Sequence, residues 1–105
     1  MTNKSARVKT LAVTIKREWF DMIASGEKKE EYREVKDYWV NRLIDDDNNF
    51  HHFDQVLFIN GYSKNAPQLL VECRGIAVRG GKRKWGGDPN EECFVIKLGA
   101  VISKS

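Results

Sequence analysis

Residues 26–34 read GEKKEEYRE and carry charge on seven of their nine side chains. As a helix, this stretch would place Lys28 beside Glu31 and form an exposed ladder of offsetting charges, which is the simpler interpretation of the composition alone. As a strand, it would place Glu31 and Arg33 on one face, because alternate side chains of a strand share a face. The strand interpretation directs several charges into one cleft, with Lys28 at the turn that precedes them.

The residues on either side of this stretch show helical and strand patterns. Trp19, Phe20 and Ile23 mark one face of a short helix, and Gly26 is suited to end that helix in a left-handed conformation. A second helical pattern begins near Val35. Short runs rich in apolar and β-branched residues predict further strands at residues 10–15, 55–59, 69–78, 93–98 and 100–103.

This order of elements predicts an α+β fold. Two early helices followed mainly by strands with short connections favour a mixed or antiparallel sheet that curls into a small β-barrel, flanked by the two N-terminal helices. Gly75, inside the strand pattern at 69–78, indicates a bulge or bend. A chain of 105 residues has room for one domain, residues 1–105, and we expect residues 1–9 to be a flexible basic N terminus.

Composition and spacing argue against several classes of protein. The chain has no run of eighteen apolar residues, so we expect no membrane insertion, and its polar first ten residues lack a secretory signal, which favours the cytoplasm. Cys73 and Cys93 lack the spacing of zinc or thiol-redox sites and are expected to be reduced core residues. His51 and His52 have no third ligand at a recognisable spacing, so we expect neither a metal nor a cofactor.

A second charged segment, residues 79–87, reads RGGKRKWGG. Lys82, Arg83 and Lys84 could contact phosphates, and Trp85 could stack on an unpaired base. The alternative is a solvated hairpin tip in which Trp85 folds back onto the barrel. A net charge of +3 is too small to decide between these interpretations.

A turn at residues 60–63 supplies one further candidate. Asn60 and Gly61 form a strong turn signal after a predicted strand, and Tyr62 could line a cleft there, since loops carry function on a rigid scaffold. Turn chemistry with a packed tyrosine is the alternative. Trp19 and Trp39 lie on apolar helical faces and are expected in the core.

The first charged stretch resembles a known family signature. Gly26, Lys28, Glu31 and Arg33 have the spacing GxKxxExR, which is the signature of ASCH domains, a branch of the PUA-like superfamily. The segment EWFDMIASGEKKEEYRE, a helix carrying YW, a strand ending in NGY and a late FVIKLG strand are also similar to that family, so the resemblance covers about residues 11–101. It implies a small PUA-like β-barrel with flanking helices and a cleft in which the motif residues meet.

The resemblance also implies a function. ASCH domains are thought to bind or act on RNA or modified nucleosides, and the family includes amidohydrolases that act on N(4)-acetylcytidine as well as reported ribonucleases. Carried over to this chain, Lys28, Glu31 and Arg33 become the ligand-facing set, with Lys28 and Glu31 as the catalytic pair of an enzyme. Arg33 and Lys28 could hold a phosphate or polarise a carbonyl, and Glu31 could orient a water or accept a proton.

The chain departs from the amidohydrolase branch at one position. That branch looks to use a threonine hydroxyl three residues after the motif lysine, where this chain has Glu31, so the resemblance gives hydrolysis less weight than binding. The leading hypothesis is therefore an ASCH module that binds RNA or a modified nucleoside, with the loop at residues 79–85 guiding the phosphate backbone. The alternatives are a small hydrolase that uses the same cleft and a protein-interaction adaptor.

Overall fold

The computed structural model describes residues 7–105, and the predicted α+β fold is confirmed. Most of the predicted flexible N terminus, residues 1–6, lies outside the described residues. A short 3₁₀ turn, Arg83–Trp85, lies in the loop before the last strand. The helices and strands, in chain order, are β1 Thr10–Thr14, α1 Arg17–Ala24, β2 Glu30–Arg33, α2 Asp37–Leu43, β3 Gln55–Ile59, β4 Gln68–Arg79 and β5 Cys93–Lys104.

The five strands form one mixed sheet in the order β1-β3-β4-β5-β2. β1 runs parallel to β3, and the other neighbours are antiparallel. The sheet curls into a half-barrel whose two edges are β1 and β2. The predicted mixed sheet is thus confirmed, but in the described part of the chain no ladder joins the two edge strands to close a barrel.

The core lies inside the curl of the sheet, between the strands and α1. Burial alternates along β1, where Leu11 and Val13 are buried and their neighbours Thr10 and Ala12 are exposed. This alternation places apolar side chains on one face, and their removal from water drives the curl. The buried cluster comprises Leu11, Val13, Ile15, Phe20, Ile23, Leu43, Val56, Phe58, Leu69, Val71, Phe94, Ile96 and Leu98.

Gly26 ends α1 and sets the direction of β2. Its φ is +86°, and its N–H donates to the Ile23 carbonyl at 3.0 Å, while the Lys28 N–H donates to the Met22 carbonyl at 3.0 Å. A left-handed residue after a helix favours glycine because a side chain would strain the backbone there. The chain therefore leaves α1 through a tight turn and enters a strand, so the strand interpretation of residues 26–34 is confirmed for Glu30–Arg33.

Two element boundaries differ from the sequence prediction by more than one residue. The second helix begins at Asp37, and Val35 is half exposed because it lies in the extended connection before the helix. The last two predicted strands are one strand, β5, since Gly99 does not form a turn. A side chain at Gly99 would collide with Glu72 on β4, so this glycine permits a close approach of β4 and β5. The bulge predicted at Gly75 is confirmed by its φ of +120° and by register shifts beside it.

Two arginine side chains cover the unpaired edge of β1. Arg33 Nη2 donates to the Thr14 carbonyl at 3.1 Å, and Arg42 Nη2 donates to the Ala12 carbonyl at 3.1 Å. Both guanidinium groups lie over the Trp39 ring, at 5.3 and 5.5 Å from its centre. Trp39 packs against the core, as expected, but also holds these two cations at the gap between the sheet edges.

Neither α1 nor α2, the helices of the described residues, is long and apolar enough to cross a membrane.

Candidate ligand-binding cleft

A cleft of about 530 Å³ opens at the gap between the two edge strands. This volume is in the range of sites that hold small molecules and cofactors. Glu31 and Arg33 line the cleft, as the strand interpretation predicted, because both point to the same side of β2. The residues that line the cleft come from β1 and its connection to α1, from α1, from β2 and from the loop after β3: Thr14, Ile15, Lys16, Trp19, Glu31, Tyr32, Arg33, Asn60, Gly61 and Tyr62.

Glu31 is the most buried acid of the cleft. Its side chain is 7% exposed, and each carboxylate oxygen has one cationic partner. Oε1 lies 3.2 Å from Lys28 Nζ, and Oε2 accepts a hydrogen bond from Arg33 Nη2 at 2.5 Å. Two cations therefore fix the orientation of this carboxylate. A buried charge needs such partners, because an unpaired one would destabilise the fold.

Lys28 lies behind Glu31, and this corrects the expectation that it faces the ligand. Its side chain is 1% exposed, and its Nζ donates to the carbonyls of Glu30 at 2.6 Å and Trp85 at 2.9 Å. With Glu31 as the third acceptor, all three N–H donors of the ammonium group are in use. Burial lowers the pKa of Lys28 from its ordinary value, and the carboxylate of Glu31 opposes that effect. Lys28 thus positions Glu31 and does not itself line the cleft.

Arg33 reaches from β2 across the gap to β1. One nitrogen, Nη2, donates to both Glu31 and the Thr14 carbonyl, and the Trp39 ring supports the guanidinium plane. Its Nε is buried and has no hydrogen-bond partner among the described residues. Buried donors are normally paired, and Arg42 Nε and Trp85 Nε1 are the other buried side-chain donors of the described residues that have no partner.

Aromatic side chains form two walls of the cleft. Trp19 was expected in the core; it packs against the core but also lines the cleft. Tyr62 is 93% exposed, so the packed-tyrosine alternative is wrong and the ring lies at the rim. Asn60 also lines the cleft, and its Nδ2 donates to the Ile15 carbonyl at 2.9 Å. This hydrogen bond links the loop after β3 to the residue that follows β1. The sequence did not identify Trp19 as a cleft residue, because an apolar stripe on a helix does not show which of its residues lies beside the edge of the sheet.

Trp85 is 6% exposed and cannot offer an open stacking face, which corrects its expected role in binding. The alternative, in which the ring folds back, is the one observed. Lys82 and Lys84 cover it, with their Nζ atoms 4.9 and 4.8 Å from the ring centre. Lys82, Arg83 and Lys84 are exposed, as expected, but they lie outside the cleft.

His51 and His52 also lie outside the cleft. Both are exposed, and His52 Nε2 lies 2.9 Å from Asp54 Oδ1. Among residues 7–105, no three His, Cys, Asp or Glu side chains are grouped closely enough to hold a metal ion. Cys73 and Cys93 are unpaired cysteines in that range, each half-buried.

Glu30 and Tyr32 of β2 form a second polar network, and Tyr32 also lines the cleft. The Tyr32 hydroxyl donates to Glu30 Oε1 at 2.7 Å and accepts from the Lys82 N–H at 2.9 Å. Arg79 Nη2 donates to Glu30 Oε2 at 2.6 Å, and this bond lowers the pKa of Glu30. Burial, chiefly, raises the pKa of Tyr32 to about 12. The network connects β2 to the loop that carries the three exposed cations.

We expect Tyr32→Phe to destabilise the protein by about 1 kcal/mol near pH 8, because the hydroxyl's hydrogen bonds are lost. The Tyr32 hydroxyl ionises near pH 10 in the unfolded chain and near 12 in the folded one. Its stabilising effect is therefore complete below pH 10 and is lost as the pH rises towards 12. Urea unfolding should show the difference between wild type and Tyr32→Phe shrinking over that interval. A difference that stays constant, or that Tyr38→Phe at an exposed ring reproduces, would contradict this assignment.

Comparisons with known proteins found no matching family model, no matching curated protein and no matching solved structure.

Proposed function

We propose that this cleft binds the base of RNA or of a modified nucleoside, in an ASCH-type domain of the PUA-like superfamily. The observation that carries the proposal is Glu31, an almost buried carboxylate at the floor of the cleft with one cation fixed on each oxygen. A carboxylate accepts about four hydrogen bonds. Acceptor positions therefore remain for N–H groups, which nucleobases present at their edges.

The floor of the cleft suits a neutral base better than a phosphate. All three N–H donors of Lys28 are in use, and Arg33 already donates to Glu31. A phosphate bound there would lie against the Glu31 carboxylate, and like charges in a partly buried site repel each other strongly. We therefore revise the idea that Lys28 and Arg33 hold a phosphate: a base donates to Glu31 and directs an acceptor atom towards the guanidinium group of Arg33, whose side chain is 23% exposed.

The aromatic walls fit the same ligand. Trp19 and Tyr62 present ring surfaces to the cleft, and Tyr62 is exposed enough to change its orientation. Stacking of a base on an aromatic side chain contributes about 1–3 kcal/mol and tolerates many bases. In this proposal the rings supply affinity, while Glu31 and Arg33 select the hydrogen-bonding edge of the base.

Tyr62→Ala is expected to weaken the binding of a nucleoside about 10-fold, which corresponds to the lower part of that stacking range. Because Tyr62 is 93% exposed, the thermal midpoint should not change. Isothermal titration calorimetry with the four ribonucleosides measures the effect. Tyr38→Ala, which removes an exposed tyrosine from α2, is the matched control, and an equal loss in both variants would contradict the stacking role.

The test of the proposed function is to identify what the protein retains on purification. Small molecules and RNA extracted from protein prepared at low salt would be analysed by mass spectrometry, with Tyr62→Ala prepared in parallel. We expect nucleosides, nucleotides or RNA fragments to be enriched with the wild type and reduced with the variant. Enrichment of peptides alone would instead support the adaptor hypothesis and contradict the proposal.

Hydrolysis by the same cleft receives less support from the geometry. A lysine whose three donors are all engaged has no N–H left for a substrate carbonyl. Acetate release from N(4)-acetylcytidine and cleavage of RNA are the two assays that address this alternative. Turnover that Glu31→Gln abolishes would assign the hydrolase function, whereas binding without turnover agrees with the present proposal.

A further inference from the structure

We propose that a basic turn beside the cleft binds phosphate, so that the ligand is a nucleotide or single-stranded RNA rather than a free nucleoside. The basic turn is defined as Lys82, Arg83 and Lys84 together with Trp85, which lies beneath them. The proposal rests on the base-binding function proposed above and adds the chemical class of the ligand. It follows from three properties of the turn: its rigidity, its lack of ion pairs among the described residues and its position.

The basic turn is held by hydrogen bonds in spite of its glycine-rich neighbours. The Trp85 N–H and the Gly87 N–H both donate to the Lys82 carbonyl, at 3.0 and 2.9 Å. The Lys82 N–H donates to the Tyr32 hydroxyl on β2, and the Trp85 carbonyl accepts from Lys28. A backbone fixed at these points holds the Cα atoms of the three cationic residues in place, which lowers the entropic cost of binding an anion.

The cations of the basic turn form no ion pair among residues 7–105. In the part of the chain that the structure describes, no carboxylate lies within 4.0 Å of Lys82, Arg83 or Lys84. By contrast, Arg79 at the start of the same loop is paired with Glu30. Lys82 Nζ and Lys84 Nζ lie 4.9 and 4.8 Å from the centre of the Trp85 ring, so their protein contact is with an aromatic ring and not with an acid.

The acidic residues of the same loop lie elsewhere. Asp88 and Glu91 line a separate depression with Glu34, and the three cations do not line it. Positive and negative charge are therefore separated within the loop. Phosphate is the anion that an exposed cluster of lysine and arginine recognises best in a nucleic-acid ligand.

The basic turn is next to the floor of the cleft. Lys28 Nζ donates to the Trp85 carbonyl and also contacts Glu31 Oε1, so one nitrogen atom connects the turn to the floor. Gly86 packs against the cleft wall, where an added Cβ would lie 2.9 Å from Trp19. The basic turn therefore borders the cleft wall at Trp19, and a phosphate attached to, or next to, a base bound at Glu31 is to be sought on the side of the cleft where Lys82, Arg83 and Lys84 are exposed.

The experiment compares three probes at several salt concentrations: an equimolar mixture of the four ribonucleosides, the corresponding 5′-monophosphates and a random-sequence five-nucleotide RNA. Each is titrated into the wild type, into a triple variant with Lys82, Arg83 and Lys84 changed to Gln, and into a control with Lys9, Arg74 and Lys104 changed to Gln. The control removes the same number of exposed lysines and arginines at other sites.

We expect the triple variant to bind the nucleosides like the wild type and to bind the five-nucleotide RNA at least 10-fold more weakly at low salt. Loss of three phosphate contacts should also flatten the plot of log affinity against log salt by about 2, at 0.7 per contact on a single strand. The control should resemble the wild type in both respects. The monophosphates show whether one phosphate is enough for the basic turn to bind. If it is, the wild type should bind the monophosphates more tightly than the nucleosides; if several phosphates are needed, only the RNA should bind more tightly.

Equal affinity and salt dependence in the wild type and the triple variant would overturn the phosphate site. Binding of RNA that depends on the three cations, with no binding of nucleosides, would support the phosphate site and contradict the base-binding cleft. The two proposals therefore fail in distinguishable ways.

Discussion

Lys28→Met is expected to lower the free energy of unfolding by about 3–5 kcal/mol, the range for removing one partner of a buried ion pair. The substitution nearly preserves the side-chain volume but removes the ammonium group. Among the described residues, Glu31 would then retain Arg33 as its one cationic partner, and the carbonyls of Glu30 and Trp85 would lose this donor. Because a small domain is stabilised by roughly 5–15 kcal/mol in total, the loss should be evident in urea unfolding.

The neighbouring residue gives a matched control for this prediction. Lys29 is exposed, so Lys29→Met makes the same chemical change without removing a buried contact. A double variant, Lys28→Met with Glu31→Leu, should recover part of the lost stability because no unpaired carboxylate remains. If Lys28→Met were as stable as Lys29→Met, the ammonium group would not hold Glu31 and the described floor of the cleft would be wrong.

Glu31→Gln is expected to weaken the binding of nucleosides by about 10- to 100-fold, since hydrogen bonds to a charged group contribute about 1.5–3 kcal/mol. The substitution keeps the shape of the side chain but replaces one acceptor oxygen with an N–H₂ group. That group would face a cation on either side, Lys28 or Arg33, and it cannot accept from a base. Calorimetric titration with each ribonucleoside measures the loss.

Glu34→Gln is the control for Glu31→Gln, because it removes the same charge from a side chain that is 73% exposed. Glu31→Asp tests the position of the carboxylate separately. The shorter side chain keeps the charge but places the carboxylate oxygens further from the ligand, so we expect a folded protein that binds nucleosides weakly. Wild-type affinity in a folded Glu31→Gln protein would contradict the role of this carboxylate.

Much of the fold could be predicted from short-range patterns. The strand at residues 55–59 was predicted with its observed bounds, and Gly26 was identified as the residue that ends α1. Gly75 was identified as a bulge. Each of these features depends on backbone chemistry within a few residues, such as a left-handed φ or an alternation of apolar side chains.

The candidate site could be predicted in part. The spacing of Lys28, Glu31 and Arg33 correctly indicated that they converge, but not that Lys28 is buried. Its burial depends on the Trp85 carbonyl, which lies 57 positions further along the chain. No local pattern reports such a contact.

The aromatic residues show the same limit. Trp85 and Tyr62 both follow turn signals, yet one ring is covered by lysines and the other is 93% exposed. The stack of Arg33 and Arg42 on Trp39 likewise depends on how α2 packs across the gap between β1 and β2. Tertiary packing decides which apolar residue of a given pattern is buried.

Mapping of ligand contacts by NMR tests whether a base binds at Glu31. Two-dimensional ¹H–¹⁵N spectra of the wild type would be recorded during titration with each of the four ribonucleosides and with N(4)-acetylcytidine. At least one of these should saturate one site per chain and shift the amides of Glu31, Arg33 and Asn60 and the indole N–H of Trp19 most strongly. Absence of saturable shifts with all five ligands, or shifts centred away from these residues, would contradict the account.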